Sequence, residues 1–172
     1  MQRCLSIRIV EATEDDLGAV AELAGIVWRA HYPGMITHGQ IDYMLERGYS
    51  RDALLRFVTA PGAGLLLARD GERLIGFAGY YRVDDASALK LDKLYVHQDY
   101  HGCGVGSRLI ARVEQAASAQ SADTLILQVN KNNAKAIRAY ERSGFAIRES
   151  IVVDIGGGYV MDDFLMTKPL PG

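Results

Sequence analysis

The sequence predicts a mixed α/β domain, α+β in its pairing, with one sheet covered by helices. Three observations lead there. Apolar residues recur at helical spacing between about residues 17 and 59. The pattern then changes to strand-like runs on either side of Asp70-Gly71. From residue 88 onward, strand-like and helix-like segments alternate. The chain has 172 residues and no break in composition, so it is read as one domain.

Residues 7–12 alternate at period two and predict a first strand. Thr13 followed by Asp16 resembles a helix cap with an acidic first turn, and Leu17, Val20, Ala21, Ala24, Val27 and Trp28 mark one helical face. Tyr32-Pro33-Gly34 interrupts that helix, and Thr37-His38-Gly39-Gln40 fits a capping box opening a second. Ser50 caps a short third helix ending near Thr59. Asp70-Gly71 is a hairpin signal between strands at 65–68 and 74–80. A further strand at 88–96 follows the polar Asp84-Asp85. A glycine-rich loop, a helix over about 104–119, a strand at 124–129 and a helix from Asn133 to about Gly144 come next. Two strands around Gly156-Gly157-Gly158 end the chain.

Net charge is −2, which excludes a general nucleic-acid binder built on a basic face. No apolar run approaches the ~18 residues of a membrane span, and the start carries no secretory apolar region. Cys4 and Cys103 form neither a disulfide framework nor a metal-ligand spacing; they are read as reduced thiols in a cytoplasmic protein without metal.

The segment His101-Gly102-Cys103-Gly104-Val105-Gly106-Ser107 lies between a strand and a helix. Alternating glycines leave backbone N–H groups exposed at the positive end of that helix, which suits a phosphate or pyrophosphate. A simple chain reversal accounts for the glycines alone equally well. Two phosphate motifs are excluded. Gly106 is followed by Ser107-Arg108 rather than by Lys-Ser/Thr, and Ser107 stands where a dinucleotide fingerprint needs glycine.

Downstream, Asn133, Ala136, Tyr140 and Gly144-Phe145 resemble the Asn-x-x-Ala-x-x-x-Tyr-x-x-x-Gly-Phe signature of GNAT acetyltransferases. The loop resembles that family's pyrophosphate motif, with Gly104 and Gly106 at its small positions and His101 where Arg or Gln is usual. Leu94-Tyr95-Val96 resembles its central strand. The resemblance implies a central mixed, mostly antiparallel sheet of about seven strands flanked by four to five helices. It divides the domain into acceptor-side helices (about 13–60), a cofactor-binding core (about 64–145) and a closing hairpin (145–168).

It further implies an acetyl-CoA-dependent N-acetyltransferase without metal, acting on a primary amine in a ternary complex; homodimers also occur in the family. Binding of the cosubstrate falls by resemblance to Leu94, Tyr95, Val96, His101, Gly102, Cys103, Gly104, Val105, Gly106, Ser107, Asn133 and Tyr140. Tyr140 is the expected general acid for the sulfur. Asp92 is the candidate base, with a solvated strand charge paired to Lys90 or Lys93 as the other reading. His31, Tyr32 and Tyr43 are the candidate acceptor wall; Asp163, at the start of the final strand, is read as a turn carboxylate, with a place facing the acceptor pocket as the other reading. Residues 28–43 and the chain's end resemble bacterial polyamine acetyltransferases. A protein amine as acceptor, or an acyl-CoA sensor without activity, are the alternatives.

Overall fold

The computed structural model describes Cys4, residues 6–83 and residues 87–171; the Asp84-Asp85 link lies outside them. A strand β1 (Ile7–Glu11) and a 3-10 turn (Glu14–Asp16) lead into three helices, α1 (Leu17–His31), α2 (His38–Tyr49) and α3 (Arg51–Thr59). Then come β2 (Gly64–Asp70), β3 (Arg73–Arg82), β4 (Ala88–Val96), α4 (Val105–Ala119), β5 (Thr124–Asn130), α5 (Ala134–Arg142), β6 (Ala146–Gly156) and β7 (Tyr159–Pro169). The strands form one seven-stranded sheet in the order β1-β2-β3-β4-β5-β7-β6. Pairing is antiparallel except between β4 and β5, which are parallel and therefore need the α4 crossover.

The helix starts follow from short polar side chains. The Thr13 N–H donates to the Asp16 carboxylate at 2.8 Å. Thr37 Oγ1 accepts from the Gln40 N–H at 3.1 Å, and Ser50 Oγ from the Ala53 N–H at 3.2 Å. The capping box expected at Thr37 forms only in half. Gln40 sends its amide instead to the Val160 carbonyl at 3.0 Å, which ties α2 to β7.

Two apolar layers cover the sheet. Leu65, Leu67 and Phe77 point toward α1–α3 and pack with Leu17, Val20, Trp28, Ile41 and Leu54. Leu66, Ala68, Ile75 and Ala78 point the other way, against Val105, Leu109 and Val113 of α4. The alternation along β2 is the period-two consequence of the pleat. On β4 it breaks. Leu89 and Leu91 join the α4 layer, and so do Leu94 and Val96, while Tyr95 joins the α1–α3 layer. The cause is a bulge: Gly79 faces Lys93 and Tyr80 faces Leu91, so Asp92 has no partner on β3.

Cys4 and Cys103 form a disulfide with Cα atoms 5.4 Å apart, which overturns the reading as two reduced thiols. At a sequence separation of 99, the spacing carried no information on their proximity. Helix α4 crosses the sheet face back toward β1, where the Arg112 guanidinium donates to the Ile9 carbonyl at 3.2 Å. That crossing brings the loop before α4 beside the segment before β1. Among the described residues no helix is long and apolar enough to cross a membrane.

Phe77 has no exposed surface and stacks edge-on with Tyr49, centroids 6.0 Å apart. Phe77→Ala should therefore lower unfolding free energy by about 3–5 kcal/mol in a denaturant titration; a loss below about 1 kcal/mol would contradict this packing.

Candidate active site

The site begins where the two parallel strands part. β4 and β5 pair only at Ala88–Thr124, Leu89–Leu125 and Lys90–Ile126. β4 continues to Val96 against β3, and β5 to Asn130 against β7, so their facing edges diverge. A cavity of about 730 Å³ occupies the divergence, lined by main chain and side chains of residues 90–96 and 128–130. Buried backbone N–H and C=O groups require partners, so these edges are suited to a ligand that carries amides.

At one mouth of the cavity lies the glycine loop. Gly102 and Gly104 have φ of +86° and +74°, and Gly104 caps α4 in the left-handed region. A β-carbon built on Gly102, Gly104 or Gly106 meets nothing within 4 Å, so the loop presents an open face. Arg108 is the residue whose N–H reaches back to the Gly104 carbonyl, at 3.1 Å. The N–H groups of Val105, Gly106 and Ser107 stand before that bond, in the first turn of a fifteen-residue helix. His101 bonds the Val96 carbonyl through Nε2 at 3.0 Å, and its Nδ1 lies 3.3 Å from Lys135 Nζ. The lysine can only donate, so Nδ1 accepts and the imidazole proton sits on Nε2.

At the centre, phenols gather. The Tyr32 and Tyr95 hydroxyls are 3.0 Å apart, and Tyr140 lines the same cavity. Burial pushes the Tyr140 hydroxyl well above the usual tyrosine range, with Tyr32 adding to the effect. Burial likewise raises Tyr32 to about 12. His31 donates from Nε2 to Asn133 Oδ1 at 3.1 Å, and the same oxygen accepts the Ala136 N–H at 3.3 Å, capping α5. Burial lowers the His31 pKa, and the Asn133 bond opposes that shift.

Two carboxylates line the far end. Asp92, at the bulge, sits 3.3 Å from Lys93 Nζ and 3.9 Å from Lys90 Nζ. Lys93 is itself buried, with Nζ 4.2 Å above the Tyr49 ring. Burial lowers its amine pKa, and Asp92 is the charge that opposes the shift. Asp163 is only 4% exposed, and its Oδ1 has no hydrogen-bond partner among the described residues. Burial, helped by Asp162, raises its pKa to about 6, against the pull of Lys90 and Lys131.

The cavity thus brings together Leu94, Tyr95, Val96, His101, Gly102, Gly104, Val105, Gly106, Ser107, Asn133, Tyr140, Asp92, His31 and Tyr32. Two expected members are elsewhere. Cys103 is tied to Cys4 and is not among the lining residues. Tyr43 packs beneath the β6–β7 turn, donating to the Ile155 carbonyl at 2.9 Å. A β-carbon on Gly157 would come within 2.7 Å of its ring. Asp163, read as a turn carboxylate with a pocket-facing place as the alternative, lies within β7 opposite Asn130 of β5 and Ile151 of β6, and it lines the cavity. The alternation of Met161, Asp163 and Leu165 is the signal that places it on one face of the strand. Lys93 and Lys135 carried no such signal, because their placement depends on the bulge and on the docking of α5.

The acetyltransferase (GNAT) family model matches residues 19–145. An uncharacterised N-acetyltransferase of Mycobacterium tuberculosis is 28% identical over 155 residues, 90% of this chain and 98% of that protein. The spermidine N(1)-acetyltransferase of Thermoplasma acidophilum is 24% identical over 150 residues, 85% of this chain and 92% of its own length. Among solved structures, a PaiA N-acetyltransferase from Thermoplasma acidophilum in complex with coenzyme A superposes with a TM-score of 0.82 at 24% identity, covering 96% and 99% of the two chains. The match over residues 19–145 makes this chain a member of the GNAT family of N-acetyltransferases, and the superposition shows its fold.

Proposed function

We propose that the chain transfers an acetyl group from acetyl-CoA to the primary amine of a small molecule. The observation that carries this reading is the divergence of β4 and β5, with an unhindered glycine loop at its mouth and a walled acceptor end. A pyrophosphate fits the loop, because no side chain fills it and helix N–H groups face it. Lys135 puts a cation beside His101, which offsets the absence of the family's usual Arg or Gln there. The open edge of β4 at Leu94 and Val96 suits the amides of a pantetheine arm, added to the sheet as a short strand.

When bound, acetyl-CoA supplies a thioester whose carbonyl carbon is open to a neutral amine. The N–H of Leu94 or Tyr95 is assigned to that carbonyl oxygen, and the Asn133 side chain to the cosubstrate. Tyr140 is assigned as the general acid: burial keeps its hydroxyl protonated at neutral pH, so a proton is at hand as charge gathers on sulfur. Asp92, paired with two lysines, is assigned to hold Lys93 rather than to accept a proton.

The acceptor end supports a small molecule rather than a protein segment. Gln40 donates to the Val160 carbonyl at 3.0 Å, Tyr43 to the Ile155 carbonyl at 2.9 Å, and Arg47 also to Ile155. These bonds fasten α2 to the β6–β7 hairpin, whose Val153, Ile155 and Met161 wall the cavity. Spermidine is the first candidate, since relatives bear that activity in their names.

A free-thiol assay with acetyl-CoA across polyamines, amino acids, aminoglycosides and short peptides should give turnover with a small amine. Turnover confined to peptides would contradict the assignment. Tyr140→Phe should lower turnover about 100-fold and leave coenzyme A affinity within about twofold; unchanged turnover removes Tyr140 from the mechanism. Gly104→Val places a branched side chain at φ +74° and over the open face, so calorimetry should find coenzyme A affinity reduced at least about tenfold. Wild-type affinity would mean the diphosphate lies elsewhere.

A further inference from the structure

We propose that Asp163 is the group that captures the acceptor's ammonium and takes its proton. This rests on the acetyltransferase reading and adds to it the residue that readies the amine. Asp163 lines the same cavity as Tyr140 and Tyr32, from the middle of β7. Its carboxylate and the Tyr32 hydroxyl lie within each other's field, and Tyr32 lies within that of Tyr140. The carboxylate and the phenols thus share the walls of one cavity.

A buried carboxylate with an unfilled oxygen is an uncommon feature, because desolvated polar atoms ordinarily find partners. The competing acid does not meet the need: Asp92 has Lys93 at 3.3 Å and Lys90 at 3.9 Å. Around Asp163 the charged and titratable groups are Asp162 on β7, Lys90 on β4, Lys131 after β5 and Tyr32 after α1. Lys131 is itself paired with Asp162. Oδ1 is sealed from the cavity, and no cation among the described residues lies at ion-pair distance from this carboxylate, so an ammonium entering the cavity would supply the counter-charge the group lacks.

The proton balance is simple. The ammonium gives one proton to the Asp163 carboxylate and becomes a neutral amine. As the C–N bond forms and the C–S bond breaks, the sulfur takes the Tyr140 proton, and the nitrogen's second proton restores the Tyr140 hydroxyl. Asp163 releases its proton to solvent after the amide leaves. Burial raises the carboxyl to about 6 and disfavours the ammonium form, which narrows the gap between donor and acceptor, while the attraction between the two charges opposes that and moves the carboxyl back down when the amine binds. The working form is the ionised carboxylate. Activity should therefore rise as pH climbs through about 6 and fall below it.

The test uses the full chain with coenzyme A bound and n-propylamine as probe, a minimal primary amine. Carboxyl-labelled aspartate followed by NMR should show Asp163 titrating near 6 and moving to lower pH with excess propylamine. In thiol-release kinetics, Asp163→Asn should lower kcat/KM for propylamine about 100-fold or more and remove the acidic limb of the pH profile. Asp163→Glu should restore part of the rate together with the limb. Coenzyme A affinity should be unchanged in both variants. An Asp163 signal indifferent to propylamine, or Asp163→Asn with wild-type kcat/KM and the limb intact, overturns the proposal. Failure of the wild-type chain to bind coenzyme A would instead overturn the cosubstrate reading beneath it.

Discussion

The parting of β4 from β5 after Lys90–Ile126 is the constraint on which the rest of the site depends. Parallel neighbours in a buried sheet normally satisfy each other's backbone along their length. Here they stop while both strands continue, each paired with its antiparallel partner on the other side. The break coincides with the bulge at Asp92, which increases local twist and reverses the facing of every later β4 residue. Tyr95 is thereby carried to the α1–α3 side, where its hydroxyl meets that of Tyr32. One extra residue, at the point where the slot begins, thus sets which β4 side chains look into it.

The electrostatics of the cavity follow from the same geometry. Lys93, shifted by the bulge, is buried over Tyr49 and needs a counter-charge, which Asp92 supplies. That pair is weak evidence of stability, since desolvating two ions offsets much of their attraction. Its consequence is distributional: it neutralises one acid and leaves Asp163 as the carboxylate with open valence. At the loop end the sign is reversed, with helix N–H groups and Lys135 facing the mouth. The cavity therefore offers positive potential to an anionic head group and a carboxylate to an amine.

Much of this was legible in the sequence where local chemistry decides it. Asp70-Gly71, the caps at Ser50 and Asn133, the apolar face of α1 and the helix following Gly104 depend on neighbours a few residues away. Placement of Tyr140 in the cavity followed from its register with Asn133, the cap of the same helix about two turns earlier. What stayed hidden depends on tertiary context. The Cys4–Cys103 bond needs α4 to cross toward β1, and the bulge at Asp92 leaves no mark on a strand already interrupted by charge. Tyr43 stays out of the cavity that its neighbour Met44 lines, because Gly156 and Gly157, both at positive φ, fold the β6–β7 turn over its ring. Gln40 illustrates tertiary override most plainly, since it gave up the expected cap for a bond to β7.

Hydrogen exchange resolved by residue tests the central claim most directly. With coenzyme A added, the amides of the open β4 edge at Leu94–Val96 and of the α4 first turn at Val105–Ser107 should slow together, while those of β1 and β2 stay as they were. Unchanged exchange at both places, with binding confirmed independently, would contradict the slot between β4 and β5 as the seat of the cosubstrate.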